Sequence, residues 1–112
     1  MELMDIQRVE ATDSTHYFPN YEQGPLYLSV ALAGEVGETC NEVKKYARGD
    51  FDWEELQAKL EGELPDILIY LVMLSDQMGI NLEKAYEAKK EYNEQRYRGI
   101  DPTGFRHPIT GE

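Results

Sequence analysis

Three glycines constrain the fold of this chain more than any other feature. Gly49, Gly79 and Gly99 each follow a long stretch in which apolar residues recur at every third or fourth position. That period is one face of an α-helix, and a glycine just past its end is the common left-handed terminator. The pattern predicts helices at about 25–48, 53–78 and 82–98, after a shorter N-terminal one near 2–11. Asp52 with Glu55 three residues on has the form of a capping box, and Asn81 is a good N-cap for the last helix. Residues 12–24 read as loop, as does the tail from Gly99 to Glu112. The expected fold is all-α, a bundle of three to four main helices. It forms a single domain over 1–112, with its motif-bearing core at about 25–98.

Two features of the second long helix stand out. Gly62 and Pro65 lie inside it, and a proline there removes a backbone donor and crowds the carbonyl of Glu61. A kink or short break is therefore expected between Glu63 and Asp66. The run ILIYLVML at 67–74 follows. By itself it could be a buried strand, but its helical flanks and the lack of a second strand-like segment decide for helix. Being apolar almost all round, it should be buried on most sides. Three helices of so short a chain can hardly cover it, so a homodimer or homotetramer is expected, with the bundle completed by a second copy.

The chemistry rests on carboxylates. Glu35-x-x-Glu38 and Glu63-x-x-Asp66 each place two acids one helical turn apart on one face. An isolated pair of this kind is usually a solvated helix face. Here there are two, on different helices, each bordering an apolar stripe. With about 100° per residue, Leu28, Leu32, Val36, Thr39, Val43 and Tyr46 form one stripe, and Glu35, Glu38 and Glu42 its adjoining edge. Paired carboxylates in a bundle can also serve iron, but that needs Glu-x-x-His, and His16 and His107 follow no such spacing. All-oxygen ligation favours Mg²⁺ or Mn²⁺.

Composition narrows the partners. Against 22 Asp+Glu there are 11 Lys+Arg, a net charge of −11, which repels nucleic acid and anionic membranes. A phosphate-bearing substrate remains open, because a bound cation reverses the local sign. Cys40, the sole cysteine, has no disulfide partner in the chain. With no signal peptide or membrane-length apolar run, this points to the cytoplasm. Cys40 is expected beside the buried stripe as a packing residue. Lys89, Asn93 and Arg96 continue the face begun by Leu82, Ala85 and Tyr86, so polar groups stand where core is expected. They either snorkel past the bundle edge or contact phosphate. Trp53 reads as a helix-start staple or a base-stacking ring. His16, Tyr17 and Phe18 in the first loop are weaker candidates for a base pocket, and Arg106 and His107 of the tail are further phosphate candidates. Lys44, Lys45 and Arg48 complement a helix C-terminus, with Lys45 also within reach of phosphate.

The stretches Leu32-Ala-Gly-Glu-Val-Gly-Glu38, Gly62-Glu-Leu-Pro-Asp-Ile-Leu-Ile-Tyr-Leu71 and Lys89-x-x-x-Asn93-x-x-Arg96 together resemble the MazG-like all-α nucleoside triphosphate pyrophosphohydrolases. The order of the motifs, with 24 residues between Glu38 and Glu63, carries the resemblance over roughly residues 25–98. It implies Mg²⁺-dependent hydrolysis of a nucleoside triphosphate, by preference a deoxynucleoside triphosphate, to the monophosphate and pyrophosphate. It further implies Glu35, Glu38, Glu63 and Asp66 as metal ligands, Lys89, Asn93 and Arg96 on the nucleotide, and Tyr70 toward the sugar or base, where a core role serves as well. Two departures stand out. Gly34 replaces a second acid found before the first ligand in many members, which leaves open which carboxylate polarises the water. Pro65 stands where Gly or Ala is usual. The competing readings are a non-catalytic helical oligomerisation or regulatory module and a phosphoribosyl-ATP pyrophosphohydrolase on the same scaffold. All four expected ligands being present counts against the first.

Overall fold

The computed structural model describes residues 2–17 and 24–98, with side chains described for 2–11 and 24–97. It holds four helices: α1 (Leu3–Tyr17), α2 (Gly24–Ala47), α3 (Trp53–Gln77) and α4 (Leu82–Arg98). The all-α expectation holds, with boundaries of α2, α3 and α4 within a residue of those read from the sequence. No helix among the described residues is long and apolar enough to cross a membrane.

The stops and starts form as their residues dictate. Gly49 (φ 91°) and Gly79 (φ 71°) adopt the left-handed conformation. At each, two backbone bonds fold back over the helix end: Gly49 N–H to Tyr46 O and Asp50 N–H to Lys45 O, then Gly79 N–H to Asp76 O and Ile80 N–H to Ser75 O. This is the Schellman arrangement, which satisfies carbonyls the helix leaves orphaned. The Asp52–Glu55 capping box closes in both directions, at 2.9 and 3.2 Å. Asn81 Oδ1 accepts from Lys84 N–H at 3.1 Å. Gly99, the tail with Arg106 and His107, and the side chains of His16, Tyr17 and Phe18 lie outside the described residues.

Four expectations are corrected. α1 continues to Tyr17 instead of ending near residue 11. No glycine or proline interrupts it before Pro19, and extending an established helix is far easier than nucleating one, ordinary residues ranking within about 0.7 kcal/mol of alanine. α3 runs unbroken through Pro65. Pro65 and Glu61 are both exposed, so water can take the place of the donor that Pro65 lacks. α2 is rotated relative to its apolar stripe: Leu28, Thr39 and Tyr46 turn inward together with Glu35 and Glu42, while Val36 and Val43 are 41% and 42% exposed. Cys40 is exposed as well.

α2 packs along α3 as an antiparallel hairpin, visible in the pairs Glu42–Lys59 and Tyr46–Trp53. α1 packs on α3, and α4 touches α1 and α3 but not α2. The buried polar residue Gln7 docks α1: its Nε2 donates to Ile80 O (2.6 Å) and its Oε1 accepts from Leu82 N–H (3.0 Å). Glu83 accepts from Met4 N–H across the same junction. The apolar core is small. Among the described residues only Leu28, Leu56, Val72 and Met73 are buried apolar side chains. In the run 67–74, Val72 and Met73 are buried, Leu71 is 37% exposed and the other residues are half-buried.

Candidate active site

The α2–α3 seam brings the acid pairs together. Oxygens of Glu35, Glu38 and Glu63 lie within 4.8 Å of one another. Glu35 and Glu63 are half-buried and Glu38 is exposed, so the cluster opens to solvent on one side. Glu35 Oε2 is buried without a hydrogen-bond partner. With both carboxylates ionised, Glu63 has no proton to offer it. Burial first, then the charges of Glu38 and Asp66, then hydrogen bonding and charge from Glu63, push the Glu35 carboxyl above its usual range. A buried, unsatisfied anion among other anions is costly. A hard divalent cation supplies what is missing, and all-oxygen donors suit it. The residues therefore fit a metal.

Asp66 lies outside that trio, exposed and one turn on from Glu63, yet close enough that its charge acts on both Glu35 and Tyr70. Tyr70 is half-buried, and burial, with Tyr27, Glu35 and Asp66 around it, raises its pKa. Its phenol therefore stays protonated. The α4 residues are not brought to the acids within one chain. Lys89 and Arg96 are exposed and Asn93 is half-buried, on a helix that makes no contact with α2. The face expected to be core is open, with Tyr86 57% exposed. Arg96 instead rests over the Tyr97 ring, 4.8 Å from its centroid, and donates to the Tyr97 hydroxyl, while Lys89 lies 5.0 Å from the centroid of Tyr92.

Residues 23–99 match the family model of the MazG nucleotide pyrophosphohydrolase domain. The chain belongs to that family. The MazG match takes in α2, α3 and α4 with every acid of the cluster, and leaves α1 and Gln7 outside it. Among curated proteins the chain is 36% identical over 99 residues to dCTP pyrophosphatase 1 of Rattus norvegicus and 33% identical over 99 residues to that of Homo sapiens. Each alignment covers 85% of this chain but 58% of the relative, so the chain spans little more than half the length of these proteins. The Gene 37 protein of Mycobacterium phage L5 is 32% identical over 84 residues, 69% of this chain and 73% of that protein. No solved structure gives a significant match.

The MazG hairpin also carries a feature that the sequence reading passed over. Glu42, beyond Glu38 on α2, is paired with Lys45 Nζ and Lys59 Nζ, each at 3.5 Å. Lys45 was legible as a cation within reach of phosphate. Lys59 was not, because only the hairpin register places it opposite Glu42. Trp53 is 60% exposed at the mouth of the same hairpin and packs edge-on against Tyr46, 5.8 Å between centroids.

Proposed function

We propose that this MazG domain hydrolyses a nucleoside triphosphate, by preference a deoxynucleoside triphosphate, to the monophosphate and pyrophosphate, with Mg²⁺ as cofactor and Mn²⁺ as its substitute. The observation that carries this is the convergence of Glu35, Glu38 and Glu63 around a buried, unpartnered carboxylate oxygen. Those three acids, with Asp66 beside them, would hold the cation. Bound there, it would neutralise phosphate charge and lower the pKa of a coordinated water. In the overall reaction a water oxygen bonds to the α-phosphorus, the bond from that phosphorus to the α–β bridging oxygen breaks, and that oxygen leaves as part of pyrophosphate. Tyr70, kept as a neutral phenol beside Glu35 and Asp66, offers an O–H to the sugar or base. The deoxynucleotide preference draws on the dCTP pyrophosphatase relatives. The exposed lone cysteine accords with a cytoplasmic setting.

The site is completed by a second copy of the chain, in a homodimer or a dimer of dimers. A core of so few buried side chains leaves Trp53, Leu64 and Leu71 of α3 exposed. An apolar groove of about 470 Å³ runs along Trp53, Leu56, Leu60, Leu64 and Pro65. Lys89, Asn93 and Arg96 would then reach the nucleotide from the neighbouring chain. Sedimentation equilibrium should find dimer or tetramer at micromolar concentration, and a stable monomer there would refute the assembly.

The activity is tested with a panel of NTPs and dNTPs in Mg²⁺, separating monophosphate from diphosphate products. Pyrophosphate and monophosphate should appear together, and Glu38→Gln or Asp66→Asn should abolish turnover. Release of orthophosphate with a nucleoside diphosphate would overturn the assignment.

A further inference from the structure

Glu42 meets cations from both helices of the hairpin. Lys45 Nζ approaches its Oε1 and Lys59 Nζ its Oε2, each at 3.5 Å. One carboxylate cannot neutralise two ammonium groups, so this trio carries one surplus positive charge in a chain of net charge −11. Lys59 also lies over the Phe51 ring, 5.1 Å from its centroid. Its amine is thus held in place while its side chain remains 43% exposed, and that of Lys45 38%. A simple latch between α2 and α3 would need one lysine, and would not need to keep both within reach of solvent.

The register gives the trio its meaning. Glu42 stands four residues after Glu38 on α2, and Lys59 four residues before Glu63 on α3. At 1.5 Å per residue Glu42 and Lys59 lie about 6 Å along the seam from the acid cluster, and the backbone of Lys45 about 10 Å. A triphosphate with its α-phosphate at the acids must still place two more phosphates, both anionic and rich in acceptors. Acids alone repel them beyond the reach of the cation they would hold, and lysine is suited to phosphate as a mobile point charge.

We propose that Lys59 and Lys45 form the subsite for the β- and γ-phosphates, the part that leaves as pyrophosphate. Glu42 is their internal counter-ion when that subsite is empty. This rests on the reading of the chain as a triphosphate pyrophosphohydrolase. On binding, the phosphates take over the lysines from Glu42, so Glu42 acts as a competitor whose removal strengthens anion binding. Lys59 and Lys45 thereby become determinants for a triphosphate over a shorter nucleotide.

The test is calorimetric titration of inorganic pyrophosphate, with Mg²⁺ present, into the full chain and its variants, beside a parallel titration of a deoxynucleoside monophosphate. Lys59→Ala should weaken pyrophosphate binding about tenfold or more, the scale of one charged hydrogen bond. Monophosphate binding should be unchanged, and Lys59→Arg should restore most of the loss. Glu42→Gln should tighten pyrophosphate binding several-fold. Melting curves of each variant report folding separately. If Lys59→Ala and Glu42→Gln lower the melting temperature while pyrophosphate affinity stays at wild type, the trio is only a latch and the proposal falls. Wild-type turnover of dNTPs is measured alongside. Turnover with unaltered pyrophosphate binding in the variants overturns this subsite alone, whereas no turnover of any triphosphate overturns the functional reading beneath it.

Discussion

Because burial and the neighbouring acids raise the Glu35 pKa above the 4.5 of an unhindered glutamate, the folded state resists carrying its charge. A raised carboxylate pKa means the folded chain binds the proton more tightly than the unfolded one. The group then costs nothing below the unfolded value, and its penalty grows as pH rises from there through the folded value. Without metal, Glu35→Gln should therefore melt higher than wild type at neutral pH, and the advantage should shrink as pH falls toward 4.5. Thermal melts in EDTA across that range measure it. A variant that melts below wild type at neutral pH would mean that the ionised side chain is well accommodated. With saturating Mg²⁺ the order should reverse, since the amide loses a ligand charge.

At the scale of elements, what the sequence made legible is what short-range chemistry decides. Asp52 and Glu55 lie three residues apart, and Gly49 and Gly79 form bonds within five residues. No distant contact is needed to find them. The acid pairs were legible for the same reason, since one helical turn relates their members. Rotation of α2 was not, because apolar periodicity points a helix toward the largest apolar surface, and here Val36 and Val43 face outward while Glu35 turns to α3. Nor was Gln7, a single amide in no motif, whose role depends on a turn more than seventy residues away. Gln7→Ala leaves the Ile80 carbonyl and Leu82 amide without their partner, at a cost of about 1–3 kcal/mol for the two part-buried hydrogen bonds together. For a chain of this size that lowers Tm by roughly 4–12 °C. Differential scanning calorimetry checks it, and an unchanged Tm would mean α1 is held by its apolar contacts alone.

For the molecule as a whole, the proposed site would couple folding to metal binding. A cation that binds only the folded hairpin relieves the repulsion among Glu35, Glu38, Glu63 and Asp66, and stabilises by linkage. At a hundred times its Kd the gain is about 2.7 kcal/mol, enough to raise Tm by several degrees. Millimolar Mg²⁺ or Mn²⁺ should produce that rise relative to EDTA. The same melting point in both would show that the four acids do not hold a metal. The small core makes the gain matter, because four buried apolar side chains among the described residues leave little stability in reserve.

The separation of α4 from α2 has a consequence for mixtures of damaged copies. The acids belong to the hairpin of one chain, while Arg96 sits on a helix that never meets the helix of Glu35 and Glu38. A site built from the hairpin of one chain and the α4 of its neighbour divides its lesions between two sites. Glu38→Gln and Arg96→Ala proteins, each inactive or crippled alone, should then complement one another once their subunits exchange. Every hybrid dimer holds one site bearing both lesions and one bearing neither. Recovery of turnover on mixing would mean that the unit of function is the pair of chains, and that a cell carrying both defective alleles keeps a working enzyme.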